Sequence, residues 1–278
     1  MILFSPAKIN IGLRIIERRK DGFHNLQSVM FPLGLCDILE IRKSVDQESG
    51  IQFSQSGIQL ESGTGKNLCI KAYELLNAEI LLPPVNLHLH KQIPVGAGLG
   101  GGSSNAGIAL RGLNSISPDP LSHERLLELA GRLGSDCPFF LFDRPMMMEG
   151  RGEILSPFAL DTDQLYLVLL FPEIHISTKD AYGGVIPEVP GKHLQELIIQ
   201  PMHQWKHQVI NDFESSVFKK YPELGSLKAQ LYQAGAVYAS LSGSGSALFG
   251  LFSDQPRLTG NLARYVIWEG RANRNDPI

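Results

Sequence analysis

Five glycines crowd into the seven positions from Gly96 to Gly102, within Pro94-Val-Gly-Ala-Gly-Leu-Gly-Gly-Gly-Ser-Ser-Asn-Ala-Gly107. Glycine is entropically costly to order and offers no side chain to pack, so such a run makes sense where backbone must approach an anion closely. The pattern predicts a helix from Ser103 to Leu113 directly after it, aiming free N–H groups and a positive dipole end at phosphate. A flexible surface loop is the competing reading, and it explains neither the helix start nor the two serines. Walker A spacing is excluded, because Gly102 is followed by Ser103-Ser104 and not by lysine and a hydroxyl. Gly96, Gly98 and Gly101 satisfy GxGxxG. However, Pro94 interrupts the preceding strand, and the acidic candidate Asp119 lies between two prolines, so a dinucleotide fingerprint is rejected.

The rest of the chain narrows the class. Its 278 residues allow one large domain or two of ordinary size, and 43% hydrophobic content supplies a sizeable core. A net charge of −3 argues against wholesale nucleic-acid binding. Cys36, Cys69 and Cys137 are odd in number and far apart, so a reducing, cytoplasmic setting is expected. The longest apolar run, Leu165–Phe171, is far short of the ~20 residues that span a bilayer. Arg18-Arg19-Lys20 follows the apolar start instead of preceding it, the wrong order for a signal peptide. A soluble protein without a membrane partner is expected.

Period-two alternation makes Ala7–Leu13 a strand, with Ile9, Ile11 and Leu13 on one face and Lys8 and Asn10 on the other. Further strands are expected at Val29–Leu33, Asp37–Arg42, Val85–His90, Leu165–Phe171, Val237–Leu241 and Ala247–Phe252. Helices are expected at Asn67–Ala78, Ser122–Gly134, Pro222–Ala234 and, for the most part, Leu194–Phe218. Strands and helices mix without strict βαβ alternation, which indicates an α+β fold. A change of rhythm near residue 158 divides the chain into 1–158 and 159–278, and the tail 271–278 is polar and expected to fray.

Several residues have two readings on pattern alone. Lys8 is either a solvated edge lysine or a cation pointing into a cleft beside Asn10. Asp136, before Pro138, is either a helix N-cap or an outward-reaching carboxylate. Asn67 suits a helix N-cap, and Ser103 and Ser104 suit either capping or contact with phosphate or Mg²⁺. His88 and His90, and His203 and His207, read as ordinary surface histidines. The second pair lacks a zincin glutamate, and the Met146–Met148 run reads as core filler.

Pro94–Leu110 resembles the second motif of the GHMP kinases, Ser242–Gly250 the third and Ser5–Gly12 the first. The three stand in order across nearly the whole chain. The resemblance implies a ribosomal-protein-S5-like N-terminal domain that binds ATP and a ferredoxin-like C-terminal domain. Pro6–Asn10, Asp21–His24, Leu133–Pro138 and Gly150–Ile154 resemble the branch that phosphorylates the 2-hydroxyl of a CDP-linked methylerythritol in the non-mevalonate isoprenoid route. Phe23 stands where tyrosine is commoner there, Cys137 where valine is, and Ser177 where proline is.

By this resemblance Asp136 is the base that takes the hydroxyl proton, while Lys8 holds its charge and orients the nucleophile. Asn67 and Lys91 flank the adenine and ribose of ATP. Pro94, Gly96, Gly98, Leu99, Gly100, Gly101, Gly102, Ser103 and Ser104 wrap its triphosphate. Asn10, Phe23, His24, Thr178, Tyr182, Ser242 and Gly243 line the substrate, with cytosine read by His24 between Phe23 and Tyr182. Mg²⁺ arrives mainly on the nucleotide, with no protein ligand assigned. The small-molecule substrate is the expected partner, with no nucleic acid, and the chain is expected to be a monomer or weak homodimer. Other GHMP kinases, acting on homoserine or mevalonate derivatives, are the alternative. The Asp21–His24 segment discriminates, because those substrates need no base-reading pocket.

Overall fold

A computed structural model describes residues 1–44, 50–59 and 67–272. In chain order its elements are β1 (Ile2–Arg18), β2 (His24–Lys43), β3 (Ile51–Gly57), α1 (Leu68–Asn77), β4 (Val85–Lys91), α2 (Gly101–Ser115), α3 (His123–Leu133), β5 (Met146–Gly150), β6 (Ile154–Pro157) and β7 (Tyr166–Leu170). There follow α4 (Thr178–Tyr182), α5 (Leu194–Ile198), α6 (Trp205–Gln208), α7 (Phe213–Lys220), α8 (Pro222–Gln233), β8 (Tyr238–Leu241), β9 (Leu248–Phe252), α9 (Gly260–Ala263) and β10 (Val266–Arg271). The chain forms two compact units. The first comprises Met1–Ala7, Leu35–Val95 and Gly100–Asp143; the second comprises Lys8–Gly34, Gly96–Leu99 and the chain from Arg144 onward. The tail from residue 273 lies outside the described residues.

In the first unit the C-terminal half of β2 pairs antiparallel with β4, and β4 pairs parallel with β3. A parallel pair requires a crossover, and α1 supplies it. The helices α1, α2 and α3 bury Cys69, Ala72, Leu76, Ile108, Leu113, Leu129 and Ala130 in one core with Leu39, Leu87 and Leu89 of the sheet. α3 follows its sequence signals: Ser122 caps it by accepting from the Arg125 N–H, Glu124 lies in the first turn, and Arg132 in the last. α2 differs, for it begins at Gly101, two residues before the expected Ser103. Its N-cap is Gly100 in the left-handed region at φ 69°, with no side-chain cap.

In the second unit the N-terminal half of β2 pairs with β5, and β5 with β6. A separate sheet has the order β10-β7-β9-β8, all antiparallel. Its core joins Leu13 and Ile15 to Val168, Leu170, Phe213, Leu227, Leu231 and Leu248.

The expected strands Val29–Leu33 and Asp37–Arg42 are one strand, β2, running straight through Pro32-Leu33-Gly34. The methionine run, taken for core filler, is buried and is also strand β5, with Met146 opposite Met30. The stretch Leu194–Phe218 is broken into short helices. Pro201 ends the first of them, and Asn211 leaves helical geometry to form a parallel bridge with Leu13.

Candidate active site

The glycine run is shared between the units. In the second, Gly96–Leu99 is held by backbone and side chain together: the Lys8 N–H donates to Leu99 O at 2.9 Å and the Ala247 N–H to Ala97 O at 3.0 Å. Gly98 O accepts from Lys8 Nζ at 3.1 Å and from Ser242 Oγ at 3.0 Å. A Cβ at Gly98 would lie 2.0 Å from Ser242 O, so the two glycine loops approach too closely for any side chain. Gly243 faces the same group, its Cβ position lying 3.4 Å from both Lys8 Nζ and Asn10 Oδ1. Asn211, buried, donates from Nδ2 to Leu241 O at 2.9 Å and Gly243 O at 2.8 Å, which pins the second loop.

Lys8 and Asn10 do share a strand face, and both are buried. The edge-lysine reading of Lys8 is thereby excluded. Its ammonium donates to Asn10 Oδ1 at 2.5 Å; Asn10 Nδ2 donates to Ser28 Oγ at 2.8 Å; and Ser28 donates to Gly12 O at 2.6 Å. Each bond fixes the direction of the next, so the Asn10 amide cannot flip and its oxygen stays on the ammonium.

In the first unit α2 carries the loop's other end. Gly102 is exposed, and a Cβ there would meet only Leu68 Cδ1 at 3.8 Å. At Gly101 it would lie 2.8 Å from Lys91 Nζ and 3.0 Å from Ile93. Ser103 is half-buried. Ser104 departs from the expected contact with phosphate: it is fully buried, its Oγ accepts from Ser5 Oγ at 2.8 Å, and its N–H donates to Gly100 O. Turned into the core, it leaves Ser103 as the hydroxyl at the helix entrance. The Asp136 segment packs on this helix. A Cβ at Gly107 would lie 2.9 Å from Cys137 O, and the Cys137 thiol hydrogen-bonds Ser103. Asp136 itself is half-buried and occupies the N-cap position of the 3₁₀ turn Cys137–Leu141 without a capping bond from its carboxylate.

Asn67 caps α1, its Oδ1 accepting from the Cys69 N–H at 2.8 Å. Lys91 is buried in an ion pair with Asp37. Burial draws its pKa below the ordinary lysine value, and the Asp37 carboxylate works against that shift. The pattern of the sequence did not single out Asp37, Ser28, Asn105 or Asn211.

In the second unit His24 stacks on Tyr182, ring centroids 4.7 Å apart at 24°, and Phe213 meets Tyr182 edge-on. The exposed ring of Phe23 lies under the Arg151 guanidinium at 5.1 Å. One face of Tyr182 is therefore already covered by His24, the residue expected to hydrogen-bond the base. Desolvation and then the charge of Arg18 lower the His24 pKa, so its imidazole is neutral at pH 7. Thr178 opens α4; its side chain lies outside the described atoms.

The GHMP kinases N terminal domain matches residues 67–144 and the GHMP kinases C terminal domain matches 194–260. Fold and loops are those of a GHMP kinase, an ATP-using small-molecule kinase. The chain is 46% identical to the 4-diphosphocytidyl-2-C-methyl-D-erythritol kinase of Bacteroides fragilis, over 93% of this chain and 94% of that protein. It is 44% identical to the enzyme of the same name from Azobacteroides pseudotrichonymphae, over 94% and 97%. A crystal structure of 4-(cytidine 5'-diphospho)-2C-methyl-D-erythritol kinase superposes with a TM-score of 0.75 at 34% identity, covering 90% of each chain. A homoserine kinase structure from Cytophaga hutchinsonii shares the fold at 18% identity, with a TM-score of 0.63 and 90% and 86% coverage. The chain belongs to the 4-diphosphocytidyl-2-C-methyl-D-erythritol kinase family within the GHMP kinases. Among the described residues no helix is long and apolar enough to cross a membrane.

Burial pushes the Cys69 thiol up to about 12, helped by the negative charge of Asp37, and the Cys137 thiol up to about 11, helped by Asp136. Cys36 is half-buried. Thiolate is the reactive form, so at pH 8 a thiol reagent should label Cys36 in the native protein and spare the other two. All three should react after denaturation. Rapid native labelling of Cys137 would contradict its packing against Ser103.

Proposed function

We propose that the chain transfers the γ-phosphoryl group of ATP to the 2-hydroxyl of 4-diphosphocytidyl-2-C-methyl-D-erythritol, a step of non-mevalonate isoprenoid synthesis. The observation that carries the nucleotide half of this reading is the start of α2, a helix with no side-chain cap behind a left-handed Gly100. Its first N–H groups lack intrahelical partners, and that is an anion site built into backbone. The choice of acceptor rests on the identity to kinases of that name. The odd number and wide spacing of the cysteines support a reducing, cytoplasmic compartment.

In this reading Asp136 accepts the hydroxyl proton as the new O–P bond forms, the bond from the γ-phosphorus to the bridging oxygen breaks, and ADP leaves. Lys8, oriented by Asn10, is the cation that aligns the hydroxyl. Phosphoryl transfer depends mainly on such positioning and on charge stabilisation. Mg²⁺ supplies neutralising charge on the nucleotide's phosphate oxygens. Ser103, the half-buried hydroxyl at the helix entrance, is the protein group that suits it, together with water. The loop Gly96–Gly102 wraps the triphosphate. Asn67 lies toward adenine, and Lys91 contributes from beneath Gly101. Phe23, His24, Thr178 and Tyr182 hold the cytidine end, and Ser242 and Gly243 shape the cleft around Lys8.

Release of ADP with a panel of alcohols tests the reading directly, and turnover confined to the CDP-linked alcohol is expected. Asp136→Asn should bind ATP almost unchanged and lose about 10²–10⁴-fold in turnover, as when a general base is removed. Comparable turnover in that variant would remove Asp136 from the role.

Gly102→Val adds a β-branched side chain in open space, so its unfolding midpoint should match that of the unmodified protein. Its affinity for ATP should nevertheless fall at least about tenfold. An unchanged affinity would mean that phosphate does not approach this part of the loop.

The base-reading segment makes a pH-dependent prediction. Neutral imidazole has one donor and one acceptor; protonation removes the acceptor. KM for the CDP-linked alcohol should stay level above pH 7 and rise once the pH falls below the lowered pKa of His24, under the ordinary ~6.5. In His24→Ala that rise should vanish, with KM about tenfold higher throughout. Tyr182→Ala should likewise raise this KM, while KM for ATP stays level in both variants. A rise of KM at low pH that persists without His24 would place the titrating group elsewhere.

A further inference from the structure

One buried carboxylate in the first unit collects hydrogen bonds from both ends of the glycine loop. Asp37 Oδ1 accepts from the backbone N–H groups of Gln92 at 2.7 Å and Ile93 at 2.8 Å, the last residues before Pro94. Asp37 Oδ2 accepts from Asn105 Nδ2 at 2.8 Å, in the second turn of α2, and from the Lys91 ammonium. The second Asn105 Nδ2 proton goes to Ser5 Oγ at 2.9 Å, and Ser5 donates onward to Ser104 Oγ. Every donor in this set points one way, so the network has a single arrangement. We propose that Asp37 is the positioning residue of the nucleotide loop, clamping the strand that enters it to the helix that leaves it.

The alternative is an ordinary core ion pair, and buried pairs of that kind are often replaceable by apolar groups without loss. Three features speak for the clamp. The carboxylate spends both oxygens on the loop's two ends, and two of its four partners are backbone N–H groups at the corner where β4 turns into the loop. Its counter-ion also lies directly under the first residue of α2, with Lys91 Nζ 2.8 Å from where a Cβ at Gly101 would stand. Asp37 itself is fully buried and touches no substrate surface. Its effect on the reaction therefore passes through the geometry of the loop, and its ionised oxygens make hydrogen bonds roughly twice as strong as neutral ones.

The inference rests on reading the loop as the nucleotide site, and the test separates the two. ATP affinity is measured by calorimetry, with KM for both substrates and the unfolding midpoint taken in parallel. Asp37→Asn turns an amide toward Lys91 and Asn105, and Asn105→Ala cuts the helix end of the clamp while leaving the ion pair intact. Both should weaken ATP binding, Asp37→Asn by about tenfold or more, with KM for the acceptor alcohol within about twofold of the unmodified value. If Asp37→Asn does not fold, Asn105→Ala carries the test alone and should show the same split between the two KM values. Lower unfolding midpoints with ATP affinity unchanged would overturn the clamp and leave a core ion pair. Absence of ATP binding in the unmodified chain would overturn the reading of the loop and the clamp with it.

Discussion

A helix start without a side-chain cap is the constraint around which this protein is arranged. α2 leaves a left-handed Gly100 and presents its first N–H groups next to residues without side chains. Ser, Thr, Asp and Asn are the preferred N-caps for such donors, and Asn67, Ser122 and Ser177 serve α1, α3 and α4 in this way. Leaving them unfilled is stable only if the helix is held by other means. From Ser104 onward nearly all of α2 is buried, in the core it shares with α1, α3 and the sheet. Packing supplies the stability that the cap does not, and this end of the helix is the anion site proposed above.

The same economy appears in the second unit, where polar groups are fixed by direction as much as by burial. The chain Lys8–Asn10–Ser28–Gly12 ends on a carbonyl and leaves no member free to rotate. Gly98 O is met by both Lys8 and Ser242, so the first glycine loop, the second and strand β1 register on a single oxygen. A phosphoryl-transfer site gains most from such preorganisation, because misplacement of reacting groups costs rate steeply.

Much of this was legible in the sequence, and the failures have physical causes. Alternation placed Lys8 and Asn10 on one face, and cap chemistry placed α3, since both signals are local. β2 was divided at Pro32-Leu33-Gly34 because proline and glycine usually interrupt strands. Here Gly34 lies close against Trp268, whose ring is 3.1 Å from where a Cβ would be. The Asp37–Asn105 bond joins residues 68 apart, and no periodicity reports a partner at that distance. Ser104 looked equivalent to Ser103, yet one helical step of rotation turns it from the entrance into the core. β5 was hidden because a run of three buried methionines carries no alternation.

The central claim is that the backbone at the start of α2 receives the phosphates of ATP, and amide chemical shifts measure this most directly. With ¹⁵N-labelled protein and a non-hydrolysable ATP analogue, the N–H resonances of Gly101, Gly102 and Ser103 should shift downfield more than any others, as orphan donors acquire anionic acceptors. AMP should leave those three resonances almost in place. Saturable binding of the analogue with these three signals unmoved would contradict the account.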